Sequence, residues 1–317
     1  MLLAALAACV LLAGVALSVG AVPLTPGQLV QGAFGHGDRV ATLVVTVLRG
    51  PRVAAAALVG ASLAVAGGIV QSVVRNPIAS PDVMGITTGA SAAGLAALAF
   101  GGATGLLLVA AVLFGALATA ALVGVLAWRG SIESTRLILV GIGVAALGAS
   151  VTGWVLTRGS VEQAAVALQW LTGSVSAVDP RAIGVLAMLL VVGLAAAMLH
   201  RRALANLALG DPMAAALGVP VQSTKIVLLA IAVVLTGAAV AVAGPVAFIA
   251  LIAAPIARRL LGDGRPALGT AAAVGAALGQ ASDLIGQFAI PNVELPIGVV
   301  TGIVGAPYLL WLIARSR

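Results

Sequence analysis

Charge is scarce in this chain. Lysine and arginine number 16 and aspartate and glutamate 9 among 317 residues, against 62% hydrophobic residues. A water-soluble core sets polar residues at helical spacing between apolar ones. The stretches Met1–Val22, Val53–Val74, Leu106–Trp128, Leu137–Leu156, Ala182–Leu199 and Ile226–Ala243 have almost none. Most soluble enzyme classes are thereby excluded. Cysteine is as rare: Cys9 stands alone, which rules out an internal disulfide and a cysteine metal cluster. The two histidines, His36 and His200, fall in different inter-helix regions, so no histidine ligand pair is visible and no metal site is expected. Lysine occurs once, as Lys225 after Thr224. A P-loop needs its lysine after glycine to reach phosphates, so the chain cannot be its own ATPase by that motif.

What remains is apolar residues in runs close to the roughly 20 that a helix needs to cross a bilayer. The sequence reads as an all-α polytopic membrane protein of about ten transmembrane helices, one domain over residues 1–317. The expected spans are 1–20, 53–72, 83–100, 105–128, 136–156, 182–199, 226–243, 246–261, 267–288 and 297–314. The eighth is short enough for a half-helix, and Gly85, Gly89 and Gly94 interrupt the third. Met1–Gly20 has no basic leading region and an apolar run too long for a signal core, so it reads as a retained helix. Forty glycines and abundant alanine suit close helix packing. Gly60-Ala64-Gly68, Gly141-Ala145-Ala149-Gly153 and Gly298-Gly302-Ala306 repeat a small residue every fourth position.

Orientation follows from the basic residues. With the N-terminus inside, the inner loops hold Arg75, Arg129, Arg136, Arg201, Arg202, Lys225, Arg258, Arg259, Arg265, Arg315 and Arg317. The outer loops hold Arg39, Arg49, Arg52, Arg158 and Arg181. The division is 11 to 5 of the 16, which puts both termini in the cytoplasm. The net charge of +7 is then the trace of arginines flanking spans and calls for no nucleic-acid partner.

Three segments do not span. Pro23–Leu48 reads as an outer loop. Gly159–Pro180 is an outer segment with a short surface helix around Glu162–Trp170, ended by Gly173. Arg201–Thr224 is an inner segment. There Asp211 is expected to cap a helix, Pro212 to open it and Gly218 to stop it.

The chain becomes specific in its motifs. Arg49-Gly50-Pro51-Arg52 opens a span, and 71–85, QSVVRNPIASPDVMG, closes it, followed by Thr88-Gly89-Ala90. Later come Gly244-Pro245-Val246-Ala247-Phe248-Ile249, Ile256-Ala257-Arg258, Glu294-Leu295-Pro296-Ile297-Gly298, Thr301 and Gly305-Ala306-Pro307. Nearly the whole chain, in order, resembles the permease family of bacterial ABC importers for ferric siderophores, haem and vitamin B12. Asn76–Asp82 and the ending Tyr308–Leu312 are most similar to the enterobactin-type siderophore branch. The resemblance implies a bacterial inner-membrane permease subunit, paired with a second permease, with a heterodimer favoured over a homodimer. Two ATPase subunits, which hold ATP and Mg, and a periplasmic or lipid-anchored substrate-binding protein complete the machine. No cofactor is expected in this chain.

The resemblance also implies roles. Within a coupling segment of about 203–224, Asp211, Pro212, Ala214, Ala215, Leu217 and Gly218 would form the helix that docks on an ATPase; the plain alternative is an ordinary surface helix. Arg49 and Arg52 would bind carboxylates on the binding protein, whereas snorkelling at a span end explains many such arginines. Other members often carry a further arginine where this chain has Gln287. Ser134 and Thr135 would form a cytoplasmic gate, or Ser134 would simply cap its helix. Gln71, Asn76, Thr87, Thr88 and Ser91 are pathway candidates: Pro77 and Pro81 break the helix, and freed backbone often lines a path, with a structural turn as the plain alternative. Asp283 and Glu294 are acids near the bilayer. Hydrogen bonding for Asp283 and a loop tie through Glu294 fit better than a proton relay.

The function so read is permeation of a ferric siderophore into the cytoplasm, powered by separate ATPases. Haem or cobalamin is the alternative cargo. An ion-coupled secondary transporter has only Asp283 for support, an intramembrane enzyme lacks a catalytic cluster, and a channel lacks a recognisable filter.

Overall fold

A computed structural model describes all residues except 159, 263–265 and 316–317. Helices dominate. In chain order they are α1 (Leu2–Ser18), α2 (Pro26–Ala33), α3 (Arg39–Leu43), α4 (Gly50–Val74), α5 (Ile86–Gly101), α6 (Gly105–Ala127), α7 (Ser134–Arg158) and α8 (Val161–Leu171). Then come α9 (Pro180–Leu199), α10 (Arg201–Leu207), α11 (Asp211–Ala216), α12 (Val221–Ala243), α13 (Ile249–Leu261), α14 (Leu268–Phe288) and α15 (Ile297–Arg315). Among the described residues the only strand-like pairing is an isolated bridge between Ile290 and Val293.

Five of these stretches are long and apolar enough to cross a membrane: Arg39–Val74, Gly105–Ala127, Ser134–Arg158, Pro180–Leu199 and Val221–Ala243. The other expected spans coincide with α1, α5, α13, α14 and α15. α14 carries Gln280, Ser282, Asp283 and Gln287, which lower its hydropathy. α5 begins at Ile86 rather than 83, because turns around Pro77 and Pro81 fill the preceding segment. α13 has 13 residues, about 20 Å at the helical rise, and is the half-helix that its sequence length suggested.

One segment departs from the sequence reading. Pro23–Leu48 is not an outer loop. Thr25 and Gln28 form a capping box that starts α2, and the chain is helical without interruption for 36 residues from Arg39. Pro51 lies inside this run, where its ring would strike the carbonyl four residues back. The backbone widens to a π-helical stretch over Val44–Arg49, and the Gly50 N–H bonds to the Val45 carbonyl instead. Arg49 and Arg52 therefore sit on one rigid helix.

α4 is the hub. Its apolar window is 83% buried, whereas those of α7 and α9 are 17% buried. α14, α12, α13 and α9 surround it. Small residues make this possible. A Cβ on Gly60 would lie 2.1 Å from the Gly275 carbonyl oxygen, and one on Gly67 would lie 1.7 Å from that of Ala250. The backbones touch where a membrane supplies no hydrophobic drive to press helices together. The stripe on α7 is used only in part: Gly141 meets Met84, while Gly153 has open space around it.

Candidate functional site

Two broken stretches face each other inside the bundle. The first is the turn region after α4, where Arg75 takes a left-handed conformation at the helix end. Asn76 Oδ1 accepts the Ile78 N–H at 3.0 Å, which shapes the Asn-Pro turn. Thr87 donates to Asp82, and Thr88 donates to the Gly85 carbonyl at 2.9 Å. The second break runs from Gly244 to Phe248, between α12 and α13. Gly244 has φ +70, and a Cβ there would lie 2.3 Å from the Trp170 carbonyl oxygen, so the site demands glycine.

Freed backbone at membrane depth needs partners, and the turn after α8 supplies them. Ser174 N–H donates to the Ala243 carbonyl at 2.7 Å, and Gly298 N–H donates to the Gly173 carbonyl at 3.3 Å. The short helix predicted around Glu162–Trp170 is α8, and its Gly173 end is threaded into the break.

A cavity of about 310 Å³ lies where these pieces meet. Asp82, Thr87, Thr88, Leu171, Thr172, Pro245, Ala247, Gly298 and Val299 line it. It offers one carboxylate, three hydroxyls and apolar walls. Among the pathway candidates, Thr87 and Thr88 line it, whereas Gln71, Asn76 and Ser91 are outside its lining. Ser91 is buried on α5, and its hydroxyl has no hydrogen-bond partner among the described residues. Gln71 is engaged elsewhere. Pro255 has no N–H to give the Leu251 carbonyl within α13. Gln71 Nε2 donates to that carbonyl at 3.0 Å, and its Oε1 accepts from Arg258 at 2.7 Å. Gln71 thus braces the half-helix. The sequence motifs give no role to Asp82 or Thr172. An acid directly after the second of two closely spaced prolines, Pro77 and Pro81, is the signal that marks Asp82.

At one end of the bundle lies an ion cluster. Arg52 Nε bonds both Asp283 carboxylate oxygens at 3.1 Å, and Arg52 Nη1 reaches Glu294 at 3.1 Å. Gln287 Nε2 donates to Asp283 at 2.7 Å. Asp283 and Glu294 tie α4, α14 and the loop before α15 together through one guanidinium. Arg49 instead donates to the Leu17 and Val22 carbonyls, both at 2.8 Å, and so serves the end of α1.

At the other end stands α11. Its boundaries agree with the expected inner helix: Pro212 is in the first turn, Leu217 caps it, and Gly218 follows with φ +80. The cap differs. Gly210, not Asp211, is the N-cap, and no side chain caps the helix. The Asp211 carboxylate is drawn off by a nearby cation: its Oδ2 receives Lys225 Nζ at 2.6 Å. Ala214 is fully buried against α10, while Leu217 is exposed and Ala215 faces outward. Ser134 opens α7, and Thr135 is exposed beside it.

A model described as the FecCD transport family matches residues 6–315. The chain belongs to the FecCD transport family. The ferric enterobactin transport system permease protein FepG of Escherichia coli (strain K12) is 41% identical over 309 residues, 98% of this chain and 94% of its own. The achromobactin transport system permease protein CbrC of Dickeya dadantii (strain 3937) is 38% identical, covering 95% of this chain and 87% of its own. Among solved structures, a metal-chelate type ABC transporter in an inward-facing conformation superposes with a TM-score of 0.86. The two are 24% identical, over 99% of this chain and 98% of that one. That likeness carries the fold. The all-α, multi-pass architecture and the expected family both stand.

Proposed function

We propose that this chain is the membrane permease subunit of an ABC importer that carries a ferric siderophore into the bacterial cytoplasm. The observation that carries the reading is 41% and 38% identity, over 98% and 95% of this chain, with two siderophore transport permeases. The cavity at two broken helices is compatible with it, because broken helices recur where transporters hold and pass cargo. Residues 1–317 form a single transmembrane permease domain that crosses the membrane about ten times. The 11-to-5 distribution of basic residues supports cytoplasmic termini. The α11 end then faces the cytoplasm and the Arg52 end faces outward.

In this reading α11 docks on an ATPase that holds ATP and Mg, and Ser134 and Thr135 gate the exit. Arg49 and Arg52 present positive charge to an acidic binding protein. Arg52 does so as the centre of a cluster that already holds Asp283 and Glu294, so docking adds to or exchanges with those acids. The second permease is a different chain. Uptake of radiolabelled iron presented on a panel of chelators, in a deletion strain with and without this gene, tests the reading. Uptake of one ferric siderophore that depends on the gene is expected. Uptake restored only for haem or cobalamin would replace the cargo, and none for any chelate would overturn the reading.

A further inference from the structure

Lys225 is the only lysine in the chain and is 1% exposed. A buried ammonium is costly unless it is paired and hydrogen-bonded, so its partners define why it is there. They come from two other places in the chain. One is Asp211 Oδ2 on the first residue of α11, at 2.6 Å. The other is the carbonyl of Ile132, in the segment that leads into α7, at 3.2 Å. Gln222, one turn earlier on α12, accepts the Ile132 N–H at 2.9 Å. Both backbone polar groups of Ile132 are thus held by the first turn of α12. Ile132 is itself buried, at 8% exposure, and only Glu133 separates it from Ser134.

The arrangement is a strut. α11 packs on α10 and on the start of α12. The Lys225 ammonium joins the first residue of α11 to the segment before α7, which lies 93 residues before Lys225 in the chain. The second Asp211 oxygen completes the picture. Oδ1 is shielded from solvent and has no hydrogen-bond partner among the described residues, and Arg75 Nη2, at the end of α4, stands 4.0 Å from it. The carboxylate has one oxygen fixed to the strut and one open toward the hub helix.

We propose that Lys225 is a positioning residue that makes α11 and residues 132–135 move as one body, so that displacement of α11 repositions the entrance of α7. The proposal rests on the permease reading above, in which α11 is pushed by a motor and Ser134–Thr135 gate the exit. It adds the physical link between the two.

The test uses the complete transporter, with its ATPases, second permease and binding protein, in proteoliposomes supplied with radiolabelled ferric enterobactin. Two quantities are read: chelate imported per ATP hydrolysed, and thiol reactivity of Thr135→Cys in a Cys9→Ala background with and without trapped ATP. Lys225→Met keeps the length of the side chain and removes its charge. It is expected to lower chelate imported per ATP by about tenfold or more, the scale of one broken buried pair. It is also expected to abolish the difference in thiol reactivity between nucleotide states. A purely structural role would lower the amount of assembled complex but leave that difference intact, and such a result overturns the proposal. Should Lys225→Met not assemble, Gln222→Leu cuts one of the two holds on Ile132. It is expected to shrink the same difference severalfold; an unchanged difference overturns the proposal equally. A parent complex that hydrolyses ATP yet imports no ferric chelate counts against the permease reading alone, and the thiol measurement still decides the relay.

Discussion

Each end of the bundle carries a cation paired with acid, and the two ends use it differently. At one end Arg52 spreads its fork over Asp283 and Glu294. At the other, Lys225 holds Asp211 and a backbone carbonyl. The Arg52 cluster joins α4 and α14, already locked by glycine contacts at Gly60, Gly275 and Gly279. Its ion pairs fasten helices whose backbones are already in contact. The Lys225 cluster joins α11, a helix of six residues, to a segment between two long helices. Its bonds cross the joints of the fold. The chemistry suits each task. A planar guanidinium fixes two carboxylates in set directions, whereas an ammonium on a flexible stem can keep a partner while the partner shifts. The same charge pairing is therefore a rivet at one end and a linkage at the other.

The sharpest break in this comparison would be a reversal of sides. Single cysteines at Ser131, Ser160 and Ser223, placed after Cys9→Ala, are all at exposed positions. An impermeant thiol reagent added to intact cells is expected to label position 160 and to leave 131 and 223 unlabelled, since basic residues concentrate on the cytoplasmic side. Labelling at 131 or 223 would put the linkage outside, where no ATPase can reach it.

Next in size is the loss of the rivet. Asp283 is 5% exposed at its side chain and Arg52 16%. Asp283→Ala leaves the guanidinium half-buried with only Glu294 and is expected to cost about 3 kcal/mol of stability. The thermal midpoint of the solubilised complex should fall by several degrees, while chelate imported per ATP in the surviving complex stays at the parent value. A variant that is stable but uncoupled would mean that the Arg52 end also transmits motion.

How much of this the sequence disclosed differs between the two ends. Spans, both helix breaks, α8, α11 and the half-helix α13 were legible because apolar runs, prolines and glycines act locally. The helical form of 39–49 was not: Pro51 normally argues against a helix continuing through it, and only the π-helical widening permits it. The partners of Arg52 and Lys225 were not legible either. They lie 231 and 242 residues away for Arg52 and 93 for one contact of Lys225, and no periodicity reports such a distance. Asp211 shows the limit best. Asp-Pro at a helix start is a sound capping signal, and a buried cation from the next helix overrides it.

A smaller effect is expected at the stop of α11. Gly218 has φ +80 and open space where a Cβ would go, so a larger side chain there meets backbone strain and no clash. Gly218→Val should cost about 1–2 kcal/mol locally, because a β-branched residue resists the left-handed region. The strain falls on the exit from α11, beside the linkage. Membrane insertion should persist and substrate-stimulated ATPase activity should drop. Unchanged stimulation would show that the position of α11 does not matter to the motor.

The smallest effect on stability belongs to Glu294, and it separates fastening from docking. Its side chain is 63% exposed. A solvent-exposed pair contributes at most about 1 kcal/mol and is screened by salt, so Glu294→Ala should move the thermal midpoint by no more than about 2 °C. Yet the substitution strips one acid from Arg52 and leaves Nη1 free for another. If Arg52 meets an acidic surface on the binding protein, removing its resident competitor strengthens that encounter, chiefly through a faster association rate. Affinity for the binding protein is then expected to rise by about two- to fivefold at low salt and to return toward the parent value at high salt. Surface-immobilised complex, measured at two ionic strengths, reads both quantities in one experiment. Affinity that falls, or that stays the same at both salts, would assign Arg52 wholly to the rivet and leave docking to other groups at that face.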